Sequence, residues 1–184
     1  MGDENRIVNR RSIRLKDYNY SQAGGYFVTI CTKNCKSIFG EIGNGIIQLN
    51  ESGLIIEATC QWLSQQYTYV LLDTWVVMPN HFHGILFILN DCRGGSRTAP
   101  TRRKPLGRLI GAFKTVSTKK FNELHGTSGQ PIWQRNYYEH IIRNEIDLEE
   151  IREYIQTNPL KWLEDENHPA NLGNKIESAF CESP

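Results

Sequence analysis

Two histidines separated by one phenylalanine, His81 and His83, stand in the stretch Pro79-Asn80-His81-Phe82-His83-Gly84-Ile85, with apolar runs at 75–78 and 85–89. In an extended strand successive side chains point to opposite faces. The two imidazoles therefore share a face and Phe82 takes the other. That geometry offers two nitrogen ligands to one metal ion while Phe82 anchors the strand in a core. It is half a metal site, and two histidines merely packed on a strand give the same pattern. A second constellation lies near the C-terminal end. Tyr154 and Asn158 project from one face if they share a helix, and Tyr154 borders an apolar stripe of Leu148, Ile151 and Ile155. A phenol can act as a nucleophile and a carboxamide oxygen as a neutral ligand. Two plainer readings stay open beside this: Tyr154 as amphipathic packing and Asn158 as a helix C-cap.

The elements that must position these groups follow from periodicity. Residues 26–32 are rich in β-branched and aromatic types and read as a central strand, with Gly24-Gly25 as punctuation before it. Gly40, Gly43 and Gly45 break the next stretch into turns around a short hairpin. Residues 50–67 carry Leu54, Ile55, Ala58, Trp62 and Leu63 at helical spacing, with Asn50 or Ser52 as cap. Residues 69–78 and 81–89 read as two strands joined at Pro79-Asn80, an antiparallel hairpin. Residues 106–124 form an amphipathic helix, and 132–142 a fourth, aromatic strand. Asn144 caps a final helix whose first turns carry Glu145, Asp147, Glu149 and Glu150, and Pro159 ends it. Strands and helices in this order, without the glycine motifs of parallel sheets, predict an α+β fold: an antiparallel sheet with helices packed on it.

Composition limits the function classes. A chain of 184 residues with 39% hydrophobic and 22% charged residues can bury one real core. No apolar run reaches the roughly 18 residues that would span a bilayer, and the polar start Met1-Gly2-Asp3-Glu4-Asn5-Arg6 is not a signal peptide. Cys31, Cys35, Cys60, Cys92 and Cys181 show no repeated metal or disulfide spacing and read as reduced thiols, hence a cytoplasmic protein. The net charge of +1 hides an asymmetry. Residues 93–122 hold nine Lys or Arg and no acid, whereas from Glu139 onward acids outnumber bases eleven to four. A local basic patch suits a polyanion, and a solvated loop and helix face has the same composition. Residues 93–105 read as a flexible basic loop, residues 1–163 as a single domain, and 164–184 as a polar tail.

The stretch from Trp75 to Gly84, with Met78-Pro79-Asn80-His81-Phe82-His83 at its centre, resembles the histidine–hydrophobic–histidine motif of HUH endonucleases. It is most similar to single-tyrosine insertion-sequence transposases and the REP-associated tyrosine transposases. Further blocks resemble that family in the same order: 11–15 and 26–30, 107–114, 133–143 and 154–162. One His-x-His is weak; the ordered set, covering roughly residues 10–163, is specific.

The resemblance implies a ferredoxin-like fold of the HUH type. It places Tyr154 as nucleophile, His81 and His83 as metal ligands, Asn158 as a third ligand, and Mg²⁺ or Mn²⁺ as the ion. It implies cleavage and rejoining of single-stranded DNA beside hairpins through a 5′-phosphotyrosine, as in DNA transposition, and it admits either a homodimer or a monomer. Arg11, Arg14, Arg102, Arg103 and Lys114 are the candidates for DNA-backbone contacts, and Trp133, Tyr137 and Tyr138 for base stacking. His140 is a general-base candidate by residue type alone, and a structural histidine is the plainer reading. Two other functions remain open: a domesticated hairpin-binding protein with little turnover, and a metal hydrolase that uses water as nucleophile.

Overall fold

A computed structural model describes residues 18–90 and 103–171. The elements run β1 (Gly24–Cys31), β2 (Gly40–Gly43), β3 (Ile46–Leu49), α1 (Glu51–Gln66), β4 (Val70–Val77), β5 (His81–Ile88), α2 (Leu106–Leu124), β6 (Tyr138–Ile142) and α3 (Glu145–Thr157). Four strands form one antiparallel sheet in the order β4-β5-β1-β6, and β2-β3 is a separate hairpin. This is the α+β, ferredoxin-like arrangement expected from the sequence. No described helix is long and apolar enough to cross a membrane.

The two sheet faces are set by the register. Thr29 pairs with His83 and Cys31 with His81, so these four side chains share a face with Phe27, Ile85 and His140. The other face carries Tyr26, Val28, Ile30, Phe82, Leu86 and Ile88, all buried under α1 and α2. Phe82 is the anchor the heptapeptide predicts. Its ring packs on Phe113 of α2 with centroids 5.2 Å apart and lies back over Gly84, where an added Cβ would meet it at 2.6 Å. Helix α3 covers part of the histidine face through Ile155, with Leu148 and Ile151 against Phe27 and Ile85.

Local chemistry accounts for most boundaries. The Asn50 side chain accepts from Gly53 N and the Asn144 side chain from Asp147 N, capping α1 and α3. Asn44 and Gly45 take φ of 53° and 73°, the two left-handed positions that a tight β2-β3 turn needs. Opposite Asp73 and Thr74 the ladder slips, and the bulge turns Asp73 toward α3.

Three expectations change. Gly24 and Gly25 are not punctuation: they pair with Ile88 and Phe87 and belong to β1, and a side chain at Gly25 would run into the Phe87 ring. The fourth strand begins at Tyr138, not residue 132. The Lys114 ammonium donates to the carbonyls of Gln134, Arg135 and Asn136 at 2.8, 3.3 and 2.9 Å. Three successive carbonyls turned to one point curve the chain out of a pleat, and only a bridge from Trp133 to Thr32 remains. The polar tail expected from residue 164 is packed through Asn171. Trp162 and Asp165 are buried, and the Asn171 amide donates to the carbonyls of Leu163 and Asp165. Of the loop expected at 93–105, only 103–105 fall among the described residues.

Candidate active site

The turn before β5 fixes the first histidine. Asn80 is fully buried, and its Nδ2 donates to the carbonyls of Cys35 and Asn167 at 2.9 and 2.7 Å. The amide orientation is thereby set, and Oδ1 accepts from His81 Nδ1 at 2.8 Å. His81 Nε2 then carries the lone pair. His83 is held in the same way one register step along, with Nδ1 2.8 Å from Thr29 Oγ1 on β1. The two Nε2 atoms converge to 2.9 Å. Outer hydrogen bonds on both Nδ1 atoms, with both Nε2 atoms aimed at one point, are the orienting pattern of metal-binding histidines.

Oxygen donors arrive from α3 and the segment after it. Asp165 Oδ2 lies 4.0 Å from His81 Nε2. It accepts from Asn158 Nδ2 at 2.8 Å, and Asp165 Oδ1 accepts from Asn167 N at 2.6 Å. Asn158 Oδ1 is buried and has no hydrogen-bond partner among the described residues, a costly state for an amide oxygen unless something occupies it. His81, His83 and Asp165 form a buried group whose donor atoms lie within 4.8 Å of one another and could hold a metal ion. Two neutral nitrogens, one carboxylate and an orphaned amide oxygen fit a divalent cation.

Electrostatics keep the donors ready. Burial pushes the His81 imidazolium down to about 4 against the opposing pull of Asp165 and Asn158. Burial, reinforced by His81, holds His83 well below its ordinary range. Both rings are therefore neutral at pH 7, the form that binds metals.

Helix α3 brings the phenol to this cluster. Asp147, Ile151, Tyr154 and Asn158 fall on one stripe of it. Arg152 clamps the helix to the β4 bulge, with Nε and Nη2 on the two oxygens of Asp73 at 2.7 and 2.6 Å. Asn158, the C-cap residue, keeps helical dihedrals (φ −55°, ψ −42°), so the stripe reaches it. The Tyr154 hydroxyl is 3.4 Å from His83 Nε2, and its ring meets His83 and Phe27 edge-on. It is 44% exposed, so the phenol stands in the wall of an open cleft. Burial, helped by the carboxylates of Asp165 and Glu166, pushes its pKa up to about 12. The cleft measures about 700 Å³ and is floored by Phe27, Thr29 and Cys31, with Tyr138 and His140 on the β6 side.

The structure thus brings together His81, His83, Tyr154 and Asn158. Among the basic candidates, Arg103 lies elsewhere, in a groove of about 800 Å³ with Lys104 and Arg108 beside the start of α2. Lys114 is committed to the 134–136 carbonyls, and burial lowers its ammonium to about 8. Arg11, Arg14 and Arg102 lie outside the described residues. Trp133 is core, its Nε1 donating to Ser117 Oγ, whereas Tyr137 and Tyr138 line the cleft. Asp165 is the residue that sequence reasoning missed. It sits in an acidic run, Glu164-Asp165-Glu166, whose composition is that of a solvated tail, and only the burial of Trp162 beside it marks the segment as folded.

The sheet and its helices match a solved REP-associated tyrosine transposase bound to a REP hairpin, at a TM-score of 0.55 and 19% identity over 82% of this chain and 74% of that one. The chain therefore shares the fold of that transposase. At the level of sequence, the chain belongs to the same family as an uncharacterized protein of Haemophilus influenzae, 39% identical over 173 residues that cover 87% of this chain and 93% of that protein. No protein-family model matches the sequence.

Proposed function

We propose that this protein is a metal-dependent single-stranded DNA endonuclease and strand transferase that acts beside hairpins through a covalent 5′-phosphotyrosine. The observation that carries this reading is the Tyr154 hydroxyl poised 3.4 Å from His83 Nε2 at the mouth of a buried donor cluster. His81, His83, Asp165 and Asn158 Oδ1 would hold the cation. A mixed nitrogen and oxygen set suits Mn²⁺ at least as well as Mg²⁺. The bound ion would polarise a non-bridging oxygen of the scissile phosphate and orient it.

The remaining steps belong to the chain. Tyr154 attacks phosphorus, the bond to the 3′ oxygen breaks, and the phosphotyrosine conserves the energy for rejoining without a nucleotide cofactor. Because the free site holds the phenol protonated, attack requires that its proton leave as the new bond forms. The edge-on contacts of Phe27 and His83 fix the ring against the cleft wall and limit the nucleophile's orientations. Arg103, Lys104 and Arg108 offer a charged groove for the phosphates of the hairpin, and Arg11, Arg14 and Arg102, outside the described residues, are further candidates for backbone contacts. Tyr138, half-exposed in the cleft, offers a stacking surface for an unpaired base.

The test is incubation of the full chain with single-stranded hairpin DNA and Mn²⁺. A protein–DNA adduct stable to denaturation, lost in Tyr154→Phe while hairpin binding persists, is the expected result. Metal-dependent cleavage that survives Tyr154→Phe would assign the nucleophile to water and overturn the proposal. Hairpin binding with no adduct in the unaltered protein would make it a binding module.

A further inference from the structure

One side chain touches the supports of both halves of the cation cluster. The Asn80 carboxamide is fully buried, and its three hydrogen bonds use both N–H groups and the oxygen. Toward β5, Oδ1 meets His81 Nδ1 at 2.8 Å. Toward the segment after α3, Nδ2 donates to the Asn167 carbonyl at 2.7 Å. The Asn167 N–H in turn donates to Asp165 Oδ1 at 2.6 Å, and Asp165 Oδ2 stands 4.0 Å from His81 Nε2. The path is a ring: His81, Asn80, Asn167, Asp165, and back to His81 across the place where a cation would sit.

A strained turn keeps the amide in place. The second N–H of Nδ2 donates to the Cys35 carbonyl at 2.9 Å. Asn34 and Cys35 both take left-handed dihedrals, with φ of 59° and 51°, a conformation that side chains resist and that persists where its surroundings hold it. The Cys35 N–H bonds to the Thr32 carbonyl, the Thr32 N–H to the Asn80 carbonyl, and the Ile38 and Phe39 N–H groups to the Pro79 carbonyl. Residues 32–39 therefore wrap the Pro79-Asn80 corner and aim a carbonyl at Nδ2. The amide cannot turn over, because its oxygen would then face the carbonyls of both Cys35 and Asn167.

We propose that Asn80 is a positioning residue that couples the two halves of the cation site. Its oxygen holds the His81 proton on Nδ1, which leaves Nε2 as the donor. Its N–H group holds Asn167, and through it Asp165, at a distance that one ion can bridge. The histidine and the carboxylate are thereby gained or lost together. This inference rests on the cation site of the function proposed above and adds no step to the chemistry on DNA.

The test is calorimetric titration of the full chain with Mn²⁺. Asn80→Asp keeps an oxygen for His81 Nδ1, and a carboxylate there is the stronger acceptor, so a residue that served His81 alone would lose nothing by the change. The aspartate has no N–H for Asn167 and sets an oxygen against its carbonyl. Mn²⁺ affinity should therefore fall by about 10- to 100-fold, the usual weight of a residue that orients a ligand, and equal or tighter binding would overturn the coupling. Asn80→Ala introduces no charge and covers the case in which the first variant fails to fold. It should cost a similar factor in the unaltered protein and a clearly smaller one beside Asp165→Asn, where one of the two ligands it serves is already lost. Equal losses in the two backgrounds would overturn the proposal. In the unaltered, metal-free protein at pH 7, imidazole nitrogen shifts should place the His81 proton on Nδ1; a proton on Nε2 would overturn it without any variant. No Mn²⁺ binding by the unaltered protein would instead overturn the cation site on which it rests.

Discussion

Asp165→Asn separates a metal ligand from a neighbour of metal ligands. The replacement is nearly isosteric, and the site can absorb it. Asp165 now accepts from Asn158 Nδ2 and Asn167 N. A carboxamide keeps the second bond through its oxygen, and the first is restored if the Asn158 amide turns over and presents its unpartnered Oδ1 to the new N–H. Folding stability should therefore change little. The charge does not survive. At an effective dielectric near 20, a carboxylate about 4 Å from one unit of positive charge contributes about 4 kcal/mol, equivalent to about a thousandfold in affinity for the cation. Calorimetric titration with Mn²⁺ should show a loss of that order. The loss of a carboxylate that opposes phenol ionisation should also lower the Tyr154 pKa, readable as an earlier ultraviolet phenolate transition. A weakening of only about 10- to 100-fold, the range for residues that orient a ligand without binding the ion, would refute Asp165 as a donor and leave His81, His83 and Asn158 as the set.

The fold and the site make two further predictions. Gly53→Ala raises intrinsic helix propensity by about 1 kcal/mol, yet a Cβ there runs into the Phe39 carbonyl and the Leu49 side chain. Overpacking of that kind costs about 1–3 kcal/mol, so the urea midpoint should fall; a midpoint at or above that of the unaltered protein would show that the hairpin yields freely. Acid should destabilise the metal-free protein through His81 and His83. Their folded pKa values lie below the ordinary 6.5, so the unfolded chain binds protons that the folded one refuses, and stability falls as pH drops below 6.5. Between pH 7 and 5 the loss should be about 2 kcal/mol for each histidine, about 4 kcal/mol for the pair, in denaturant titrations, and a flat or rising profile would contradict the burial of the pair.

Local chemistry made much of this molecule legible beforehand. The alternation around Phe82, the caps at Asn50 and Asn144 and the span of α2 are decided within a few residues of themselves, and all appear where periodicity puts them. The misreadings share a different cause. The curve of residues 134–136 is imposed by Lys114, a full element earlier in the chain. Gly24 and Gly25 look like a break until the Phe87 ring is known to lie against Gly25. Asp165 is one acid in a run of three, distinguished only by what folds over it. In each case the deciding partner is distant in sequence, so no window on the chain contains it. The spacing of Tyr154 and Asn158 was readable, but their meeting with His81 and His83 depends on how α3 crosses β5.

The two sides of the cation cluster are made at different times. His81 and His83 lie within a hairpin whose strands adjoin in sequence, whereas Asp165 is held by bonds from Asn158 and Asn167 and arrives after every strand and helix of the sheet layer has been synthesised. During translation the histidine face can form while its carboxylate is still in the ribosome. A chain that stalls or is clipped after α3 would keep the sheet and the phenol but lack the acidic donor. The cation site would in this way gain its full affinity only once the segment after α3 has been made, and fragments that end before it would lack that affinity.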